Sequence, residues 1–144
     1  MTQAGEYWID TGLYAAYELN TLGGADKVEA KLLMAKDTGN FSHRANVILE
    51  REVGEESNDE TEWGLAWNTH YRYSEAAEPG FEIYSEFGEV GHEGTFDDQD
   101  HRIGPTIQGA LGHGFKYDVG YLFGVSDGAP DGTVKTILEY EFRF

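Results

Sequence analysis

The sequence predicts an all-β fold, a single domain over residues 1–144 built as an eight-stranded antiparallel up-and-down β-barrel. Three observations predict this fold. Apolar and polar residues alternate with a period of two, which is typical of strands that have two different faces. Short clusters rich in Gly, Asp, Asn and Pro separate the alternating segments and favour turns. The length of 144 residues is enough for eight strands of about ten residues with their turns.

The alternating segments also give the expected strand boundaries. The strands are predicted at residues 6–20, 27–36, 41–53, 62–74, 81–90, 101–111, 115–125 and 133–144. The last segment alternates most clearly: one face carries Leu138, Tyr140, Phe142 and Phe144, and the other carries Lys135, Glu139, Glu141 and Arg143. Every segment therefore has one apolar and one polar face.

Composition excludes several classes of protein. The net charge of −17 argues against nucleic-acid binding, which requires an excess of Lys and Arg. The absence of cysteine excludes disulfides, thiolate metal sites and a Cys nucleophile. No apolar run approaches the roughly 20 residues of a membrane helix, although strands that cross a membrane need no such run.

Charge distribution indicates which face points inward. A soluble barrel of the lipocalin type fills its interior with apolar residues, whereas a membrane barrel has the inverse arrangement. The polar faces carry acids and bases in nearly equal number, although the whole chain is strongly acidic. A confined interior requires this balance, because an unpaired buried charge is costly. Aromatic residues concentrate near the strand ends, as in the aromatic girdles of membrane barrels.

We therefore expect a transmembrane barrel with a charged lumen and an apolar outer face. The predicted lumen charge network consists of Asp10, Glu29, Lys31, Arg44, Glu50, His70, Arg72, Glu82, Glu86, Arg102, Lys116, Asp118, Lys135, Glu139, Glu141 and Arg143. The predicted membrane-facing residues of the last strand are Leu138, Tyr140, Phe142 and Phe144.

The segment Leu138-Glu139-Tyr140-Glu141-Phe142-Arg143-Phe144 resembles the C-terminal signature of Gram-negative outer-membrane proteins, which ends in alternating aromatics and a terminal Phe. Residues 120–124 and 127–132 are similar to a proteobacterial outer-membrane family with longer members. The resemblance implies that the barrel-assembly machinery reads the last strand. From the predicted barrel as a whole we expect a monomer in the bacterial outer membrane, with the lipid bilayer as a partner. The acidic outer loops further suggest lipopolysaccharide as a partner, through shared divalent cations.

One loop is a candidate metal site. Asp97, Asp98 and Asp100 are hard oxygen donors suited to Ca²⁺ or Mg²⁺, and the loop also carries His92 and His101. The alternative, which the pattern favours, is a solvated acidic loop. No cofactor is predicted.

Catalysis has little support in the sequence. Ser42 and His43 are neighbours in a strand, so their side chains point to opposite faces. His70 is expected in the internal hydrogen-bond network. The first hypothesis is therefore a non-enzymatic outer-membrane barrel with a charge-paired lumen, either structural or a narrow passage for small solutes or ions. The alternatives are a soluble lipocalin-like barrel that binds an apolar small molecule, and a lipid-modifying enzyme with its site at the barrel rim.

Overall fold

Eight strands form one antiparallel sheet in which each strand pairs with its neighbours in sequence. The computed structural model describes residues 8–21, 24–54, 57–58 and 60–142. Within these residues the strands are β1 (Asp10–Glu18), β2 (Asp26–Thr38), β3 (Phe41–Val53), β4 (Thr61–Tyr71), β5 (Glu78–Glu89), β6 (Asp100–Gly112), β7 (Phe115–Gly124) and β8 (Gly132–Tyr140). The predicted all-β, up-and-down fold is thus confirmed. No helix in this part of the chain is long and apolar enough to cross a membrane.

The strand boundaries follow the predicted ones with three informative differences. β5 begins at Glu78, because Pro79 and Gly80, which were expected in a turn, pair with β6. β1 begins at Asp10 rather than at residue 6, and residues 1–7 lie outside the described part. β8 ends at Tyr140 rather than at residue 144, and its predicted end at residues 143–144 also lies outside it.

The sheet is curled, but it is not a closed barrel. Lys135 of β8 and Glu82 of β5 form an ion pair at 2.6 Å, although three strand spacings would separate their backbones by about 14 Å in a flat sheet. The sheet therefore bends with this face inside. Among the described residues β1 pairs with β2 and β8 with β7, and no pairing joins β1 to β8. Within the described residues the sheet is thus a half-barrel with two strand edges, and the predicted closure is not seen there.

Most side chains on the concave face are polar, and most on the convex face are apolar. The large apolar or aromatic side chains on the concave face are Tyr14, Leu33, Ile48, Tyr84, Leu122 and Ile137. Among the described residues Leu122, on the concave face, is the one buried large apolar side chain. Every strand exposes large apolar side chains on the convex face, and on β4 the exposed one is Tyr71 at the strand end. Examples on the other strands are Leu13, Leu32, Leu49, Phe81, Ile107, Phe123 and Leu138. The described residues thus form no apolar core, and their exposed apolar surface lies mainly on the convex side.

One row of residues crosses the middle of the concave face. The paired positions of this central row are Asp37, Ser42, His70, Gly80, Thr106, Gly120 and Lys135. Large and minimal residues alternate in it, because the ring of His70 lies over Gly80 and the methyl of Thr106 lies over Gly120. The two glycines leave room for the side chains of their neighbours.

We predict that Gly80→Ala lowers the free energy of unfolding in urea by about 1–3 kcal/mol, since overpacking a filled site forces its neighbours to move. A Cβ at this position would overlap the His70 ring and the Thr69 carbonyl oxygen. Gly12→Ala is the matched control, because its Cβ would meet Leu33 at an ordinary 3.8 Å. Equal unfolding midpoints for the two variants would contradict the packing described for the central row.

Candidate functional site in the concave face

Lys135 is the centre of a charge cluster that links three strands. Its ammonium lies 2.6 Å from the carboxylate of Glu82 on β5 and 3.0 Å from that of Asp118 on β7. The three side chains are 23%, 11% and 19% exposed, respectively. Removing one member of such a semi-buried cluster would leave the others uncompensated, which is a costly state.

His70 is buried beside this cluster and hydrogen-bonds across a strand. Its side chain is 1% exposed, and Nε2 lies 3.0 Å from the hydroxyl of Thr106. The ring reaches from β4 to β6 over Gly80 of β5, which explains why that position holds no side chain. Together with Leu122, the hydrogen-bonded pair and the Lys135 cluster fill the middle of the concave face.

The other charges of the concave face form smaller pairs nearer the two ends. The sheet has a loop end, with connections 19–25, 54–60, 90–99 and 125–131, and a turn end, with connections 39–40, 72–77 and 113–114. The pairs are Lys31–Glu29 at 2.8 Å, Lys27–Glu50 at 2.5 Å, Arg72–Asp37 at 2.7 Å, Lys116–Glu141 at 3.6 Å, and Arg102–Asp100. Arg102 also lies over the ring of Tyr84.

The remaining network residues in the described part of the chain lie on the same face. Arg44 and Glu139 line a cavity at the turn end, and Asp10 lines a groove with Arg44. Glu86 pairs with Asp100 in register, near the loop end. Arg143 lies outside the described residues.

Two recesses flank the filled middle of the face. The recess at the turn end has a volume of about 420 Å³ and is lined by Arg44, Lys116, Glu75, Glu78 and Glu139 among others. The recess at the loop end has a volume of about 500 Å³, and its charged lining is Glu62, Glu86, Glu93, Asp98 and Asp100. Both openings thus carry more acids than bases and would attract small cations.

The acidic loop that was considered as a metal site has its carboxylates directed to separate partners. Asp98 accepts hydrogen bonds from the backbone N–H and the hydroxyl of Thr95, at 2.9 and 2.8 Å. These bonds hold the pKa of Asp98 below its ordinary value. Asp100 pairs with Arg102 on the concave face. No group of three potential metal ligands, Asp97 included, is gathered among the described residues.

The same loop covers one part of the convex face near the loop end. Phe96 stacks on His101 with ring centroids 4.4 Å apart, and Phe87 contacts that imidazole edge-on. His101 is consequently 8% exposed, and its Nε2 lies 2.8 Å from the side-chain oxygen of Gln99. His92 instead lies near Glu89, away from His101.

Within the described part of the chain, the serine and histidine residues that the sequence suggested for catalysis lie apart. Ser42 is buried on the concave face, whereas His43 lies on the convex face, where its ring stacks with those of Phe41 and Trp67. His70 is too deeply buried to meet a lipid substrate at the rim.

The predicted membrane-facing residues lie on the convex side. Leu138, Tyr140 and Phe142 are 71%, 47% and 72% exposed, and Tyr140 contacts Phe115 and Phe142 through its ring. Phe144 lies outside the described residues. The last strand therefore presents a continuous apolar and aromatic surface to its surroundings.

Comparison of the chain with known protein families, with curated proteins and with solved structures gives no match. The resemblance to outer-membrane proteins therefore remains an expectation from the sequence.

Two residues in contact with His70, Gly80 and Thr106, were missing from the predicted network. Gly80 lies between the predicted strands 62–74 and 81–90, and Thr106 lies within the predicted strand 101–111 but carries no charge. The signal for Thr106 was its alternation with Arg102 and Gln108. The position of Gly80 opposite His70 becomes apparent only when β5 is extended to begin at Glu78.

We predict that Thr106→Val lowers the free energy of unfolding by about 1–3 kcal/mol, because it leaves the buried His70 ring without its hydrogen-bond partner. Thr69→Val is the matched control, since the hydroxyl of Thr69 is buried without a partner. We expect the control to be neutral or stabilising in the same urea titration. A larger loss for Thr69→Val than for Thr106→Val would contradict this assignment.

Proposed function

We propose that the chain is an integral outer-membrane protein whose convex face contacts lipid and whose concave face is a charge-paired interior. Its role in this proposal is structural, and its interior is blocked rather than open. The single observation that carries the proposal is the placement of apolar side chains outside and ion pairs inside.

The exposed apolar surface is too extensive for a protein surrounded by water. Soluble monomers rarely expose contiguous apolar patches larger than a few hundred Å². Here large apolar side chains are exposed on all eight strands, and a row of them on β7 and β8 is formed by Phe115, Tyr121, Val134, Leu138 and Tyr140. Contact with acyl chains removes the cost of this exposure, because the hydrocarbon replaces water at the same side chains.

A lipocalin-like function requires the opposite arrangement. A barrel that binds an apolar ligand lines its interior with apolar side chains, but the concave face carries Lys135, Glu82, Asp118 and His70 at its centre. An apolar ligand placed there would remove the water near these groups without offering hydrogen bonds.

The interior is blocked because its middle is filled. Eight strands enclose a space just wide enough for their own side chains. Lys135, Glu82, His70 and Leu122 occupy the middle of the concave face, and the two recesses lie on either side of them. We therefore expect water-filled openings at both ends that do not connect.

The direct test is flotation with lipid. The chain, diluted from urea into phosphatidylcholine vesicles, is expected to rise with them in a density gradient and to resist extraction at high pH. A folded, monomeric chain in plain buffer that stays at the bottom of the gradient would overturn the proposal.

We predict that Leu138→Arg reduces the stability of the chain folded in vesicles by up to about 2–4 kcal/mol, the cost that a cation on the lipid face reaches at the bilayer midplane. Leu19→Arg is the control, because Leu19 is similarly exposed, at 69%, but lies just beyond β1 near the loop end. There the cost falls to about 0–1 kcal/mol. In water both leucines are exposed, so equal and small effects would indicate a soluble protein.

We predict that the wild-type chain gives no steady conductance in a planar bilayer, whereas Lys135→Ala conducts small cations. The substitution removes one of the side chains that fill the middle and leaves Glu82 and Asp118 facing the space that it vacates. Lys116→Ala is the control, because Lys116 is half exposed and pairs with Glu141 at the turn end. A wild-type conductance equal to that of Lys135→Ala would show that the middle is not blocked.

A further inference from the structure

β1 and β8 are the two outer strands of the sheet, and each has an edge without a partner strand among the described residues. In hydrocarbon an unsatisfied backbone N–H or C=O costs several kcal/mol, so open sheet edges do not occur there. Resting on the proposed membrane location, we propose that β1 and β8 of the same chain pair with each other, with Glu18 directly opposite Lys135.

The register of the sheet limits the ways in which the two edges can meet. The transverse row that starts at Asp10, the first residue of β1, passes through Ala35, Arg44, Asn68 and Glu82. It continues through Gly104 and reaches β8 at Thr133, close to the start of that strand. The row thus runs from the turn end of β1 to the loop end of β8. Closure must therefore place the beginning of β8 beside the end of β1.

Registers that keep the polar faces together differ in steps of two residues, because a shift by one residue would move every side chain to the other face. Three of them, which place Lys135 opposite Ala16, Glu18 or Asn20, bring the start of β8 beside the end of β1. In a closed barrel, the transverse row that starts at Asp10 crosses all eight strands and returns to β1. In the three registers it returns about eight, ten and twelve residues further along β1, and this offset fixes the tilt of the strands. With a rise of about 3.3 Å and a spacing of about 4.8 Å, the tilts are about 35°, 41° and 46°. Membrane barrels have tilts of about 35–45°, so the first two registers fit.

Charge decides between these two registers. With Lys135 opposite Ala16, the carboxylate of Asp10 would face that of Glu141, and like charges directly opposite each other are destabilising. With Lys135 opposite Glu18, the ammonium gains a third carboxylate, and Asp10 no longer faces Glu141. The second register therefore avoids the repulsion and adds an attraction at Lys135.

The filled interior favours closure within one chain over pairing between two copies. Two copies joined edge to edge would form a sixteen-stranded barrel, and barrels of that size enclose an aqueous channel. In this chain Lys135 reaches Glu82 across the concave face, and His70 lies at 1% exposure. Such contacts suit the narrow space of eight strands.

Disulfide formation measures the register directly, because the chain has no cysteine of its own. Ile137→Cys is combined in turn with Tyr14→Cys, Ala16→Cys or Glu18→Cys. These pairs are opposite each other at offsets of about eight, ten and twelve residues, respectively. All three partners lie on the same face of β1 with the same backbone orientation, so they are matched controls. Each variant is folded into vesicles, checked by flotation in the reduced state, oxidised, and analysed by non-reducing electrophoresis and peptide mass spectrometry.

We expect Ala16→Cys with Ile137→Cys to form an intramolecular disulfide severalfold faster than the two controls. A second pair in the same register, Tyr14→Cys with Glu139→Cys, is expected to react as quickly and keeps the test valid if the first variant does not fold. Faster reaction of a control pair would overturn the register, and a disulfide-linked species of twice the mass would assign the edges to a second copy. Floated protein that forms no disulfide in any variant would refute edge pairing but leave the membrane location standing. A wild-type chain that does not float would refute the proposed function itself.

Discussion

The structure depends on the ion cluster at Lys135. A single ammonium contacts carboxylates from β5 and β7 while it extends from β8, so four consecutive strands must curve around it. Glycines and a threonine lie between these anchor points in the central row, and they allow the charged side chains to meet above the backbone. The concave shape of the sheet therefore follows from where charge and small residues coincide.

Because the charged side chains point inward, the outer face of the sheet is mainly apolar. Each strand alternates, so directing Glu82 and Lys135 inward directs Ile83, Val134 and Thr136 outward. Among the described residues no second sheet covers that face, and the loop that carries Phe96 covers one part of it near the loop end. In water the arrangement would combine the desolvation of charges with the exposure of leucine and phenylalanine. In a bilayer the same arrangement is favourable on both faces, and this asymmetry supports the proposed location.

Most of the strands and their faces could be predicted from the sequence, because alternation is a local signal. The clearest case is β8, where Leu138 and Lys135 were assigned to opposite faces and lie there. The role of Gly80 could not be predicted, since a Pro-Gly pair is typical of a turn and its contact with His70 depends on strand pairing. The open edge was also not foreseen, because alternation within a strand carries no information on how the first and last strands meet. The stacking of Phe96 on His101 likewise depends on how a loop folds back.

The most direct measurement of the central claim uses Trp67, which lies on the convex face in the middle of β4, paired with Ala45 and Ile83. In a variant with Trp8→Phe and Trp63→Phe, Trp67 is the remaining tryptophan of the three in the chain. Its fluorescence in vesicles is expected to be strongly quenched by lipids brominated along their acyl chains and little affected by acrylamide in the water. Strong quenching by acrylamide with no response to brominated lipid would place the apolar face in water and contradict this account.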